Sequence, residues 1–132
     1  GSFIVMDVDY NRVDLRGGGE RPFKDALFLR TSVVSAQHEK FVTTDAGLKC
    51  FATEGYMPVI ASGAPEGATY GWSGDEHGRV TLPEGAAALK IGDAMECVTP
   101  HCDPTINLHD CYHVCRGDVL VDIWPVDARG KR

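Results

Sequence analysis

The stretch PEGATYGWSGDEHGRVTL, Pro65 to Leu82, decides how the chain is read. It predicts a strand, a tight turn near Glu76-His77-Gly78, and a return strand from Arg79 to Leu82. The same alternation of short apolar runs and turn clusters continues on both sides. Upstream, Phe3–Tyr10 reads as a strand and Asn11–Pro22 as a loop centred on Gly17-Gly18-Gly19. Phe23–Gln37 reads as a strand from about Ala26, with a short helix as the alternative. Phe41–Thr44 is a strand closed by a turn at Asp45-Ala46-Gly47, and Met57–Ser62 is another. Downstream, Glu84–Asp93 is a short helical or loop piece and Ala94–Pro100 a strand. Cys111–Val126 reads as a hairpin turning at Arg116-Gly117-Asp118. Roughly seven to nine short strands at close spacing imply a mainly β fold, a barrel or a sandwich, with few short helices.

Bulk properties narrow the function classes. A chain of 132 residues suits one compact domain with a core of its own. The opening Gly1-Ser2 reads as a cloning scar, with the domain expected over residues 3–132. A net charge of −6 without a basic stripe argues against nucleic acid as a partner. No apolar run approaches the roughly 20 residues that cross a bilayer, so no membrane role is expected. The five cysteines, Cys50, Cys97, Cys102, Cys111 and Cys115, are odd in number and no secretion signal accompanies them. Reduced thiols in a cytoplasmic protein are the better reading. None has CxxC spacing. Cys111 and Cys115 give a weak zinc signal, and small half-buried apolar side chains are the plainer alternative.

The richest chemistry lies in PHCDPTINLHDCYHVCRG, Pro100 to Gly117, which holds three of the five histidines and three of the five cysteines. Pro100 and Pro104 bracket His101-Cys102-Asp103 and favour extended backbone there. In that geometry His101 and Asp103 share one face and Cys102 takes the other. An imidazole nitrogen and a carboxylate oxygen suit a divalent ion such as Zn²⁺ or Mn²⁺. Two protein ligands leave positions for water or substrate, as catalytic metals require. A turn built on Asp103-Pro104 is the rival reading, and on spacing alone it has the stronger claim.

Resemblance shifts that balance. PHCDPTINLHD followed by RGDVLVDIWPVDARG resembles the C-terminal domain of the D-threonine aldolase and D-serine dehydratase family. MDVDY, ALFLRTSVVS, TDAGLKCFATEG and GDEHG match that family's pattern in the same order, so the likeness runs from Phe3 to Gly130. It implies the alanine-racemase-like fold class of pyridoxal-phosphate (PLP) enzymes. There an N-terminal (β/α)8 barrel carries the cofactor lysine, and a β domain, here residues 3–132, closes the site and supplies metal ligands. The family's ligand motif is H-x-D in aldolases and H-x-C in dehydratases, so His101 and Asp103 match the aldolase form. The implied metal is Mn²⁺, Zn²⁺ or Mg²⁺ and the implied substrate a D-β-hydroxy-α-amino acid, cleaved to glycine and an aldehyde. The dehydratase alternative would release ammonia and a 2-keto acid. None of Lys24, Lys40, Lys49, Lys90 and Lys131 sits where the Schiff-base lysine is implied. The chain is therefore expected to be the C-terminal piece of a two-domain enzyme, inactive alone, with the PLP barrel as its partner.

Other residues carry smaller expectations. His109 and Asp110 read either as a second shell orienting His101 or as a solvated turn. His77 reads as a turn residue or a neighbour of the site. Tyr70 and Trp72 read as core, with the cleft facing the missing domain as the alternative. Asp45 makes a turn that the resemblance places near the domain junction. His113 reads as an ordinary strand position, and Trp124 and Pro125 as core and strand end. An edge left unpaired by the missing domain would invite self-association, with a homodimer as the expected form. Two rival classes stay open: a non-catalytic β-barrel interaction module with a fully polar surface and no metal, and a zinc site built from Cys102, Cys111 and Cys115.

Overall fold

The computed structural model describes residues 1–130; Lys131 and Arg132, within the expected 3–132 domain, lie outside the described residues. Eight strands form, β1 Phe28–His38, β2 Phe41–Thr44, β3 Val59–Ser62, β4 Thr69–Trp72, β5 Gly78–Thr81, β6 Ala94–Val98, β7 Cys111–Arg116 and β8 Val119–Pro125. One short helix, α1, spans Cys102–Ile106. The first six strands make an antiparallel sheet in the order β3-β6-β1-β2-β5-β4. Its two edge strands, β3 and β4, approach each other, so the sheet curls into a nearly closed barrel. The mainly β, barrel-like expectation holds.

β1 makes that closure. Phe28–Ser32 pair with β6, whereas Val33–His38 pair with β2 through two register shifts. Such irregularities bend a strand and let one long strand serve two walls of a barrel. Period-two alternation sends Leu29, Thr31 and Val33 inward from β1, Val42 and Thr44 from β2, and Val80 from β5. Leu29, Val33, Val42 and Val80 meet Phe51, Tyr70, Met95 and Cys97 in one core. Phe51 packs its ring at 5.5 Å from Tyr70 and 5.6 Å from Trp72, the latter pair settling both residues in or against the core rather than in a cleft. The Tyr70 hydroxyl is buried, 2.7 Å from Thr44 Oγ1, and donates to the Ala46 carbonyl at 2.6 Å. Burial, opposed by the Thr44 hydrogen bond, pushes this phenol up to about 12. Gly78 is required here, because a Cβ would sit 2.0 Å from the Tyr70 oxygen.

Two sequence expectations are corrected. Phe3–Tyr10 is not a strand but irregular chain between 3-10 turns at Ser2–Ile4 and Tyr10–Arg12. Met6 adopts a left-handed φ of 60°, and Asp7 Oδ1 accepts the Tyr10 N–H at 2.7 Å, which turns the chain out of an extended path. Its middle still pairs by backbone: Val8 N–H donates to Thr99 O at 3.0 Å and Asp9 N–H to Pro100 O at 3.2 Å. Of the two readings of Glu84–Asp93, helical or loop, the loop forms. Trp124 is not core: it is 54% exposed, with its indole N–H donating to Asp122 Oδ2 at 2.8 Å. The expected hairpin at Arg116-Gly117-Asp118 does form, but among the described residues β7 and β8 pair only with each other, and β8 is exposed throughout.

Asp7 is fully buried and bridges the irregular N-terminal chain to α1. Its Oδ1 takes the Tyr10 N–H and its Oδ2 the Cys102 N–H at 2.8 Å. A hydrogen bond to a buried charged group contributes about 1.5–3 kcal/mol, and its loss strands the donor. Asp7→Ala is therefore expected to lower the unfolding free energy by about 2 kcal/mol or more. Asp7→Asn, which keeps one acceptor oxygen, should lose less. Urea denaturation of the three proteins checks the order; equal midpoints would contradict it.

Candidate metal centre

The chain leaves β6 through Thr99 and Pro100, both buried, and turns at His101 into α1. His101 is extended (φ −141°, ψ 122°) and caps the helix, but Cys102 and Asp103 are helical, so the continuous extended His-Cys-Asp path is corrected. Pro104 lies in the first helical turn, where a missing N–H costs no intrahelical bond. Asp103 in the same turn complements the positive end of the helix. Thr105 Oγ1 donates to the His101 carbonyl at 2.7 Å and accepts the Ala52 N–H at 3.0 Å, tying the corner to the segment after β2. The side chains nonetheless segregate: Cys102 is 1% exposed, Asp103 faces solvent, and His101 is 34% exposed.

Each side chain of the pair has one donor atom engaged. His101 Nδ1 is 2.7 Å from Glu54 Oε1. Asp103 Oδ1 accepts from the Cys102 thiol at 3.2 Å and from the Ser2 hydroxyl at 3.5 Å. Among the described residues, His101 Nε2 and Asp103 Oδ2 make no hydrogen bond. Among the described residues no three His, Cys, Asp or Glu side chains converge as a metal site. The donor set therefore fits a divalent ion only in an open arrangement, two protein atoms with the remaining positions for water or substrate. It does not provide a zinc site of Cys102, Cys111 and Cys115: the first is buried, the second half-buried and the third exposed. Burial pushes the Cys102 thiol up to about 12, which keeps it protonated as a donor to Asp103.

The other expected neighbours lie elsewhere. His109 does not orient His101; its Nε2 sits 2.9 Å from the Cys50 carbonyl oxygen. Asp110 is 82% exposed and pairs with Arg129 at 2.5 Å. Asp45 Oδ1 accepts from the Thr31 hydroxyl at 2.6 Å and the Ser32 N–H at 2.8 Å, holding the end of β2 to β1. His77 is exposed in the turn between β4 and β5. That turn is locked to the Asp45–Lys49 loop by Leu48 N–H to Gly74 O and Lys49 N–H to Asp75 O, with Lys49 paired to Glu76. Tyr70 is in the core. His113 is an exposed strand residue.

Three residues near the pair escaped sequence reasoning. Glu54 and Asp7 reach it from remote segments, and no local spacing marks either. Tyr112, on β7, is half-buried, and burial first, then the charge of Asp103, raises its phenol pKa.

Burial alone would lower the His101 pKa, but the Glu54 hydrogen bond and the charges of Asp7, Glu54 and Asp103 outweigh it and hold the imidazole above 6.5. In the metal-free chain the protonated form therefore adds stability that is fully present below 6.5 and lost as pH rises through the higher folded value. A metal needs the neutral imidazole, so its affinity should climb across the same window. The His101 ring proton followed by NMR should titrate with a midpoint above 6.5, and lower in Glu54→Gln. A parent midpoint below 6.5 would mean that burial wins.

Comparison with known proteins agrees with this architecture. Residues 26–115 match the family described as "Putative serine dehydratase domain". The chain is 37% identical over 134 residues to the 3-hydroxy-D-aspartate aldolase of Paracoccus denitrificans, covering 99% of this chain and 34% of that protein. It is 41% identical over 130 residues to the D-threonine aldolase of an Arthrobacter species, covering 98% and 33%. The crystal structure of D-threonine aldolase from Filomicrobium marinum superposes with a TM-score of 0.86 at 36% identity, over 98% of this chain and 35% of that one. A D-threo-3-hydroxyaspartate dehydratase shares the fold at 21% identity, with a TM-score of 0.60 over 76% of this chain and 32% of that one. The chain thus spans about a third of the length of the curated relatives it matches. With its barrel, its strand order and more than half its length accounted for, the chain belongs to the serine dehydratase domain family.

Proposed function

We propose that this chain is the metal-bearing β domain of a PLP-dependent lyase of the D-threonine aldolase type, working in the cytoplasm on D-β-hydroxy-α-amino acids. The observation that carries the reading is the His101–Asp103 pair, with Nδ1 and Oδ1 engaged by neighbours and Nε2 and Oδ2 left for an ion. Relatives that are aldolases support it. An aspartate rather than a cysteine two residues after His101 favours the aldolase over the dehydratase form, and its hard oxygen suits Mn²⁺ or Mg²⁺ as well as Zn²⁺.

His101 and Asp103 would hold the ion, which supplies Lewis acidity toward a substrate hydroxyl when bound. PLP, held by the part of the protein that this chain lacks, would supply the electron sink. This chain's own residues do the positioning. Asp7 clamps the corner through the Cys102 N–H, and Thr105 ties it to the Phe51–Glu54 segment. Glu54 holds Nδ1 of the imidazole, and the Cys102 thiol holds one Asp103 oxygen.

The surface also supports a missing partner domain. Val119, Leu120, Val121, Ile123 and Trp124 are all about half exposed or more on β8. Val121, Ile123 and Pro125 alternate onto one face of a two-stranded ribbon that, among the described residues, has no other strand beside it. Such a ribbon is marginal alone and calls for cover. A self-sufficient interaction module with a fully polar surface fits this poorly. In the chain by itself the same face should drive self-association. Sedimentation velocity is expected to show concentration-dependent dimerisation that Val121→Thr with Ile123→Thr reduces; a clean monomer in both at high concentration would count against it.

The direct test is titration of the metal-stripped chain with Mn²⁺ and Zn²⁺. Binding is expected in the parent and lost in both His101→Ala and Asp103→Asn. Equal binding in all three would place the ion elsewhere and remove the reading.

A further inference from the structure

We propose that Glu54 is the positioning residue of the centre: its carboxylate accepts a hydrogen bond from the His101 Nδ1–H and so fixes the imidazole as the tautomer that presents a bare Nε2 to the ion. This deepens, and in its metal half rests on, the function proposed above.

The geometry carries it. Glu54 Oε1 lies 2.7 Å from His101 Nδ1, across a sequence separation of 47 residues. A carboxylate only accepts, so a neutral imidazole bonded to it must carry its proton on Nδ1 and its lone pair on Nε2. Metal-binding histidines use this arrangement generally: the second nitrogen's partner sets ring orientation and makes the metal-facing nitrogen a stronger donor.

The Glu54 carboxylate is exposed, but its backbone is built in. Phe51 is 1% exposed in the barrel core and Ala52 is 6% exposed. The Ala52 N–H donates to the same Thr105 hydroxyl that donates to the His101 carbonyl. One hydroxyl therefore sets the separation between the segment that carries Glu54 and the residue Glu54 holds. Immediately beyond, Gly55 adopts φ +80°, which turns the chain away after Glu54. His109 binds the Cys50 carbonyl and adds a second tie between α1's exit and this segment. An incidental surface ion pair would not need two such anchors.

The test has two arms on the 132-residue chain, using Glu54→Ala and Glu54→Gln. The first arm needs no metal. Long-range ¹H–¹⁵N NMR, recorded at a pH where the imidazole is neutral, should show His101 as the Nδ1–H tautomer in the parent. Glu54→Gln, whose amide oxygen still accepts, should keep much of that population, and Glu54→Ala should revert to a mixture dominated by Nε2–H. Retention of the Nδ1–H tautomer in Glu54→Ala would overturn the proposal. The second arm is Mn²⁺ affinity by EPR. Glu54→Ala should weaken binding about 10–100-fold, with Glu54→Gln between it and the parent. Parent-like affinity in Glu54→Ala would overturn the positioning role toward metal. A parent that binds no Mn²⁺ while its tautomer depends on Glu54 would instead sink the metal reading and leave the imidazole-orienting role standing. Thermal melts of both variants at the parent's value exclude misfolding as the cause.

Discussion

The candidate centre depends on a carboxylate that does not face it. Asp7 is wholly buried, and its two oxygens take the Tyr10 and Cys102 N–H groups. A charge placed there would be costly without hydrogen-bonded partners, so the chain must keep both donors in register. Cys102 follows His101 and precedes Asp103. Holding its N–H fixes the corner from which both side chains leave. The backbone bonds from Val8 and Asp9 to Thr99 and Pro100 repeat the constraint on the strand side. The N-terminal chain is thus a clamp laid across the end of the barrel, and the centre is assembled where it crosses the exit of β6.

A second set of constraints comes from the segment after β2. Its Phe51 ring is a core residue, packed on Tyr70 and Trp72, so the barrel wall sets its position. Three residues later the same segment delivers Glu54 to His101. Thr105 joins the two by accepting from one and donating to the other. The rigidity of the core is in this way carried to a half-buried imidazole. The opposite end of the chain shows what lack of such cover does: β7 and β8 pair with each other and present Val121 and Ile123 to solvent.

The strands were legible because they repeat local signals. Phe41–Thr44, β4 with β5, and the Arg116-Gly117-Asp118 hairpin all carry β-rich runs bounded by turn residues, and these form where expected. Phe3–Tyr10 carries the same signal and fails. Asp7 finds two backbone donors, one of them 95 residues away, and the left-handed Met6 breaks the strand to reach them. Trp124 was misplaced for the complementary reason: its apolar character was plain, but among the described residues β8 pairs only with β7 and leaves it 54% exposed. His101 and Asp103 were legible as ligand types and through family resemblance. Their side chains do segregate from Cys102, although helix rather than extended backbone does the sorting. Glu54 was invisible, because its link to His101 is made by folding and has no spacing to announce it.

The most direct test of the account is an anomalous-diffraction map from crystals of this chain soaked in Mn²⁺. The account predicts one strong peak within bonding distance of both His101 Nε2 and Asp103 Oδ2, with Glu54 still on Nδ1. A bound ion whose peak lies on other side chains, with the His101–Asp103 pair bare, would contradict it.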